Sequence, residues 1–465
     1  MLKKKIWALL LVMVLILLAA CAGGGTNTED ESGTKVFGAA DAKDPLRICV
    51  DLSEYTQSDP TVHYEGIEDF LTALEQTAGL DDVVIEYLPP CNTGDMLNRD
   101  HSARATANDR LRVEIMAGGG PDVFIMKYML VAGPMGYEYD ETEVLFKYPN
   151  KAMENAIFLP LDAYMENNTR FTEWDKQTQA VLAAGRNEEG QQIIPLTYTL
   201  PLLCYPKTEF DYTPDRMLYW NDMLTDPELS PVAVDLANCS ETISVLENHS
   251  VKEETARVYY LSYILGDLAD YKNEELLFTE EELLQRVHEI RALDQKDKYD
   301  EVYGAGETAV GLDLSARTYS QPMTMIPLYS DDGGVTARIQ NFAAVNRNTR
   351  RPEDAYAVID LLMSKTMQKD SKFYFDSLYG SGGLPLHEEL FQEETPLVLF
   401  NFYMTDENYR ELCEVREQIT HAHFENEMTA KLNEMLMKCD HPEIYGTVEE
   451  IVHETYIDLQ RRVRE

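Results

Sequence analysis

The chain has 465 residues, 44% of them hydrophobic and 26% charged, enough to bury the core of a folded protein of two or three domains. Its 82 acidic residues outnumber 40 basic ones, for a formal charge of −42 at pH 7. That surplus excludes nucleic acid and anionic membrane surfaces as general partners, and its simplest role is a solvated, soluble surface.

The first predicted element is an export signal: Lys3, Lys4 and Lys5, an apolar run from Ile6 to Leu18, then Ala19 and Ala20 before Cys21. The run is short of the roughly 20 apolar residues that span a bilayer. Leu18-Ala19-Ala20-Cys21 resembles the lipobox of bacterial lipoproteins. The resemblance implies that residues 1–20 are removed and that Cys21 carries lipid, holding the protein at the extracytoplasmic face of the cell membrane. Loss of three lysines with the signal takes the formal charge to −45. Residues 21–45 follow as a polar, Gly-, Thr- and Asp-containing tether with little to bury. The remaining cysteines, Cys49, Cys91, Cys204, Cys239, Cys413 and Cys439, have no metal-ligand spacing and are expected as mostly free, buried thiols.

At Leu46 the pattern changes. Leu46 to Leu52 reads as a strand; Glu65 to Ala78 carries Ile67, Phe70, Leu71 and Leu74 at helical spacing and ends at Gly79; Val83 to Leu88 is a second strand. A helix over 102–116 and a strand over 123–126 complete a strand-helix-strand-helix-strand order, which predicts a parallel sheet with crossover helices. Gly118, Gly119, Gly120 and Pro121 turn the chain between helix and strand, with Asp122 placed to brace the turn. This is no phosphate loop, since the glycines follow a helix and no Gly-Lys-Ser/Thr ending is present. Ligands in open α/β sheets bind beyond the carboxyl ends of strands, which points to Lys127, Tyr128 and Met129 and to Ser53, Glu54 and Tyr55.

Extended pieces are predicted over 193–205, 309–314 and 323–329, and a helix from Pro352. Thr279 with Glu282, and Thr447 with Glu450, are capping boxes for two further helices. His421 and His423, read as helical, would point about 200° apart and so share no metal. No nucleophile elbow or His-Glu-x-x-His helix is present, and Gly380-Ser381-Gly382-Gly383 has no paired base.

Four ordered stretches resemble the extracellular solute-binding proteins of ABC importers, in the family that includes maltose- and multiple-sugar-binding proteins. They are Ala117-Gly118-Gly119-Gly120-Pro121-Asp122-Val123-Phe124; Leu159-Pro160-Leu161-Asp162 with Gly190 to Leu196 leading to Tyr205-Pro206-Lys207; Gly306-Glu307-Thr308-Ala309-Val310; and Phe342, Asn346, Ala355 and Leu361 through Gly383-Leu384-Pro385. The resemblance implies a two-lobe α/β periplasmic-binding-protein fold with crossover strands as hinge and a ligand cleft between lobes. It places Tyr198 and Thr199 at the cleft wall and Asp313, Ser315 and Ala316 in the cleft. The sequence departs from the family at Ala316, where an aromatic would stack on a sugar; Tyr319 is the nearest substitute. Trp220 resembles the family's packing tryptophan at a helix start and is read as structural.

The expectation is one lobe from 46–196 plus 326–383 and a second from 197–325 plus 384–465. The expected ligand residues are Ser53, Tyr55, Lys127, Tyr128, Tyr198, Thr199, Asp313 and Tyr319. Between the lobes a small solute, most simply a carbohydrate, is captured and handed to the membrane subunits of an importer, by a monomer with no cofactor, no metal and no catalysis. The alternatives are a surface lipoprotein hydrolase of glycosidase type, which needs two acids in a cleft, and a solute-binding fold used as a sensor.

Overall fold

The structure is a computed structural model; it describes residues 28–29, 33–51, 65–89, 102–127, 144–166, 168, 176–208, 210–212, 219–238, 240–247, 250–257, 260–293, 309–310, 322–370, 373, 384–387, 389–391 and 405–464. Strands β1 (Lys35–Gly38), β2 (Leu46–Asp51), β3 (Val83–Tyr87) and β4 (Val123–Lys127) form one side of a large sheet. β3 and β4 are buried along their whole length, as befits strands covered on both faces, and β2 runs parallel between them.

The crossovers are α1 (Glu65–Ala73) and α2 (Ser102–Met116). α1 forms because Ile67, Phe70 and Leu74 repeat at helical spacing, and all three are fully buried. It ends in a π-helical turn, Leu74–Ala78, stopped by Gly79 at φ 72°, whose N–H donates to Glu75 O at 3.2 Å while Leu80 N donates to Leu74 O at 3.1 Å. Phe70 stacks on Phe373 with ring centroids 4.6 Å apart.

Beyond α3 (Pro149–Glu154) and α4 (Lys176–Ala183), β5 (Ile193–Thr199) runs in the large sheet and leads straight into β6 (Leu202–Pro206). β6 is the centre of a smaller antiparallel sheet, flanked by β7 (Ala309–Val310) and β8 (Met323–Pro327). α5 (Trp220–Thr225), α6 (Leu261–Leu265) and α7 (Glu280–Ala292) lie between β6 and β7 in the chain. Trp220 is fully buried with its Nε1 donating to Glu289 Oε2 at 2.9 Å, a packing role as expected. The return strand β9 (Val335–Val345) is the long one. Its second half pairs antiparallel with β4 and β5, and its first half pairs parallel with β11 (Ile419–Phe424). α8 (Pro352–Leu362) follows, then β10 (Leu384–Pro385) on β5, α9 (Asp406–Arg416), and after β11 the helices α10 (Glu427–Asp440) and α11 (Val448–Arg464). The large sheet reads β1-β3-β2-β4-β9-β5-β10, with Thr28–Glu29 outside β1 and β11 beside the start of β9.

Both capping boxes form: Glu282 N donates to Thr279 Oγ1 and Glu450 N to Thr447 Oγ1, each at 3.2 Å, and the glutamates bond back to the threonine N–H. The glycine turn is braced more heavily than expected. Asp122 accepts from Arg47 N at 2.9 Å and from the Thr349 hydroxyl at 2.5 Å, and Asn346 Nδ2 donates to Gly119 O and Pro121 O, both at 2.8 Å. Gly118 and Gly120 have φ of 79° and 94°, and a Cβ on Gly120 would meet Ile115 Cγ1 at 3.0 Å.

Cys49, Cys204 and Cys439 are buried free thiols and Cys413 is half-buried. Burial pushes the Cys204 and Cys439 thiols up to about 12. Cys21, Cys91 and Cys239 lie outside the described residues.

Three expectations change. The tether over 21–45 is shortened from its far end: β1 pairs with β3, and Ala39 N donates to Val83 O at 2.9 Å, so these residues cover the sheet edge. The expected lobe change at 325/326 falls inside β8, all of which pairs with β6. His421 and His423 lie on a strand, where residues two apart share a face, so the helical argument about them does not apply.

Candidate functional site

The parallel strands β2, β3 and β4 end along one edge, and β9 and β5 continue it. Register places Asp51 opposite Met126, Asn341 opposite Lys127, and Asn341 opposite Thr197. Lys127, Asn341, Thr197 and Thr199 therefore form a polar row on one face at the carboxyl edge of the sheet, while Asp51, paired with Met126, points to the other face; all five are buried.

At one end Asp51 Oδ2 accepts from Arg104 Nη2 at 2.8 Å, with side chains 3% and 2% exposed, and Arg104 Nη1 donates to Pro89 O at 2.8 Å. Arg104 sits in the first turn of α2, where the helix dipole disfavours a cation, so its position answers to Asp51 and not to the helix. At the other end Asn341 Nδ2 donates to Thr197 Oγ1 at 2.6 Å, while Asn341 Oδ1 and Thr199 Oγ1 are buried without a hydrogen-bond partner. Thr197 and Thr199 share a face of β5, so these two orphaned oxygens lie on the same side of the sheet. Buried polar atoms are ordinarily satisfied, and these two are not.

A second polar cluster lies toward the start of β9. The Tyr263 hydroxyl on α6 donates to Glu425 Oε1 at 3.0 Å, and the Arg338 guanidinium sits 4.2 Å over the Tyr263 ring. Burial first, then the Glu425 carboxylate, push this hydroxyl well above its ordinary value, so it remains a donor. Arg338 Nη2 donates to Ser262 O at 2.6 Å, but Arg338 Nε, Ser262 Oγ and Glu425 Oε2 have no partner. Glu425 N donates to Ile339 O at 3.0 Å, which ties this cluster to the strand that carries Asn341. Sequence reasoning missed Asn341 and all of this cluster, because a buried Arg on a strand and a Glu after one carry no motif. Arg338, set between Ala337 and Ile339 in an otherwise strand-like run, was the available signal.

Of the expected ligand residues, Lys127 and Thr199 are brought into the row. Tyr198 is not: by strand alternation it faces away, and its hydroxyl accepts from Arg416 Nε at 3.0 Å. Arg416 also bonds Thr178 Oγ1 at 3.0 Å and lies 4.7 Å over Phe391, so Tyr198 belongs to a buried network joining β5, α4 and α9. Ser53, Tyr55, Tyr128, Asp313 and Tyr319 lie outside the described residues, as do Ala316 and Met129.

His423 Nε2 lies 3.3 Å from Asp332 Oδ2, and His421 Nδ1 3.1 Å from Gly333 O. Among the described residues no group of three His, Cys, Asp or Glu could hold a metal. Burial works against the Asp332 charge, yet hydrogen bonds from His423 and Ser330 hold its carboxyl well below the usual range. A depressed carboxylate contributes stability that is complete above its unfolded value, about 3.9, and fades as pH falls toward the folded one. Asp332→Asn should therefore cost about 1–3 kcal/mol at pH 7, a deficit that shrinks below about pH 4, measurable by urea melts across that range.

No family model matches the chain, and no curated protein is significantly similar to it in sequence. Solved structures do resemble it. Extracellular solute-binding protein family 1 from Alicyclobacillus acidocaldarius superposes with a TM-score of 0.50 at 12% identity, over 91% of this chain and 100% of that one. A periplasmic oligogalacturonide binding protein from Yersinia enterocolitica gives 0.52 at 13% identity, over 90% of this chain and 99% of that one. A designed esterase improved by directed evolution gives 0.51 at 12% identity, over 90% and 98%. At such identities the likeness shows the fold, which is the two-lobe α/β fold of periplasmic solute-binding proteins.

Proposed function

We propose that this two-lobe chain captures a small polar solute, most simply a carbohydrate, against the row Lys127, Asn341, Thr197 and Thr199 and presents it to the membrane subunits of an importer. The observation that carries the reading is the pair of buried, unpartnered oxygens on Asn341 and Thr199, an acceptor and a hydroxyl suited to sugar hydroxyl groups. The fold supports it, and so does the Yersinia relative, which is described as binding oligogalacturonide. One lobe takes the large sheet and α8, the other the small sheet and α9 to α11, with β5–β6 and β9 as the crossing strands. Closure follows from tighter binding to the closed form.

The protein works as a monomer by binding, without turnover. The row itself carries no carboxylate, and Asp51 on the other face is paired with Arg104, so the row offers no pair of acids for general acid/base work. Export and lipid on Cys21 would hold it at the extracytoplasmic face; among the described residues no helix is long and apolar enough to cross a membrane. Titration calorimetry of the mature chain against neutral and acidic mono- and oligosaccharides, with small-angle scattering on any hit, tests this. The expected result is one site and a more compact particle; a hit that is turned over, or binding by non-carbohydrate solutes alone, would overturn it.

A further inference from the structure

The stretch between Cys21 and the folded body is far shorter than the polar composition of residues 21–45 suggests. Phe37 enters the core, 3% exposed, and β1 pairs with β3 along its length, Lys35 opposite Tyr87 and Gly38 opposite Val84. Thr28 and Glu29 pair in turn with Val36 and Lys35, outside β1. Only six residues, Ala22 to Asn27, stand between Cys21 and the first paired residue.

Chain geometry turns this count into a distance. At no more than about 3.6 Å per residue, the path from Cys21 reaches about 25 Å at Thr28, and about 50 Å at Lys35 if the outer pair frays. A tether free as far as Leu46 would reach about 90 Å. A folded chain of this length has a radius of gyration of about 22 Å, hence a diameter of about 58 Å for a sphere. The longer tether would let the body turn any side to a membrane. The shorter one does not, because the β1 edge cannot lie on the far side of a body wider than the reach of its anchor. Register also fixes where the anchor joins. Thr28 stands level with Glu86 and Cys49 and four strand spacings from β4, which puts Lys127 about 22 Å away.

We propose that lipid on Cys21 holds the β1 edge of the large sheet toward the bilayer on a leash of about 25 Å, so that Lys127 and its row stay within about 50 Å of the lipid surface. The inference rests on the lipid-anchored reading above and not on which solute binds. Energy transfer to headgroup-labelled lipid tests it, with the lipidated chain in phosphatidylcholine vesicles. The donor is a fluorescent amino acid at exposed position 41, just past β1, or at exposed position 389, just past β10 at the opposite end of the sheet. Transfer should be at least twofold stronger from position 41. Inserting about 24 Gly/Ser residues after Asn27, outside every paired residue, adds about 27 Å r.m.s. and should lower that transfer at least twofold. A tether free over 21–45 gives equal transfer from both positions and little response to the insertion, and either result overturns the leash. So does fast hydrogen exchange of the Lys35–Gly38 amides in the folded chain. Absence of acyl chains on Cys21 by mass spectrometry, or equal vesicle retention of the chain produced from residue 21 without lipid, overturns the lipid reading and the leash with it.

Discussion

Arg104→Met should destabilise the protein by about 3–5 kcal/mol, the cost of taking the guanidinium away from a buried carboxylate. Asp51 and Arg104 are almost wholly inaccessible, so water cannot take over the lost bond, and Pro89 O loses a donor as well. The effect belongs to the carboxylate left buried without its counter-charge more than to the strength of the pair. Asp51→Asn combined with Arg104→Met should thus recover a large part of the loss, because the neutral amide costs less to bury. Urea melts of the two variants at pH 7 decide it. A single-variant loss below about 1 kcal/mol would mean that the pair is solvated and worth no more than a surface bridge. Since Asp51 ends the strand that pairs with β4, removal of the pair should also loosen the carboxyl edge on which the proposed solute rests.

Wherever local pattern and tertiary packing agree, the fold was legible in the sequence. The helix expected over 102–116 is found over those residues, and the strands after Leu46, Val83 and Val123 start where expected, because apolar runs bounded by glycine, proline or caps leave one solution. The Gly118 to Asp122 turn could be read as a turn, but not its bracing by Asn346 and Thr349, which come from more than 220 residues away. His421 and His423 misled because Thr420 to His423 lacks a clean alternation; tertiary pairing with β9 makes it a strand. Residues 35–38 looked like tether because a four-residue strand with one buried side chain, Phe37, offers no apolar period to read.

The site was half legible for a related reason. The rule for carboxyl ends of strands finds Lys127, since it needs only the strand's end. It cannot choose between Tyr198 and Thr199, adjacent residues on opposite faces, without knowing which face looks toward the row. Asn341 escapes the rule altogether, because β9 runs antiparallel through the sheet and meets the edge in mid-strand.

Thr199→Val is the sharper test of the row, because its two effects have opposite signs. In the solute-free protein the Thr199 hydroxyl is buried without a partner, and valine keeps the shape while removing the unsatisfied group. Stability should rise by about 1 kcal/mol, or at least not fall, whereas a hydroxyl whose bonds lie within the protein would cost about as much to remove. Affinity for the solute should drop about tenfold, the equivalent of one hydrogen bond of about 1.4 kcal/mol, since the bound ligand would then bury a hydroxyl against a methyl group. Asn341→Ala should lower affinity further, but it also frees Thr197 Oγ1 from its 2.6 Å bond, so its stability change carries less information. Thermal melts of the free protein and calorimetry of the same valine variant with whichever saccharide binds separate the two roles. A variant that is both less stable and fully able to bind would make Thr199 a structural residue and move the solute away from this row.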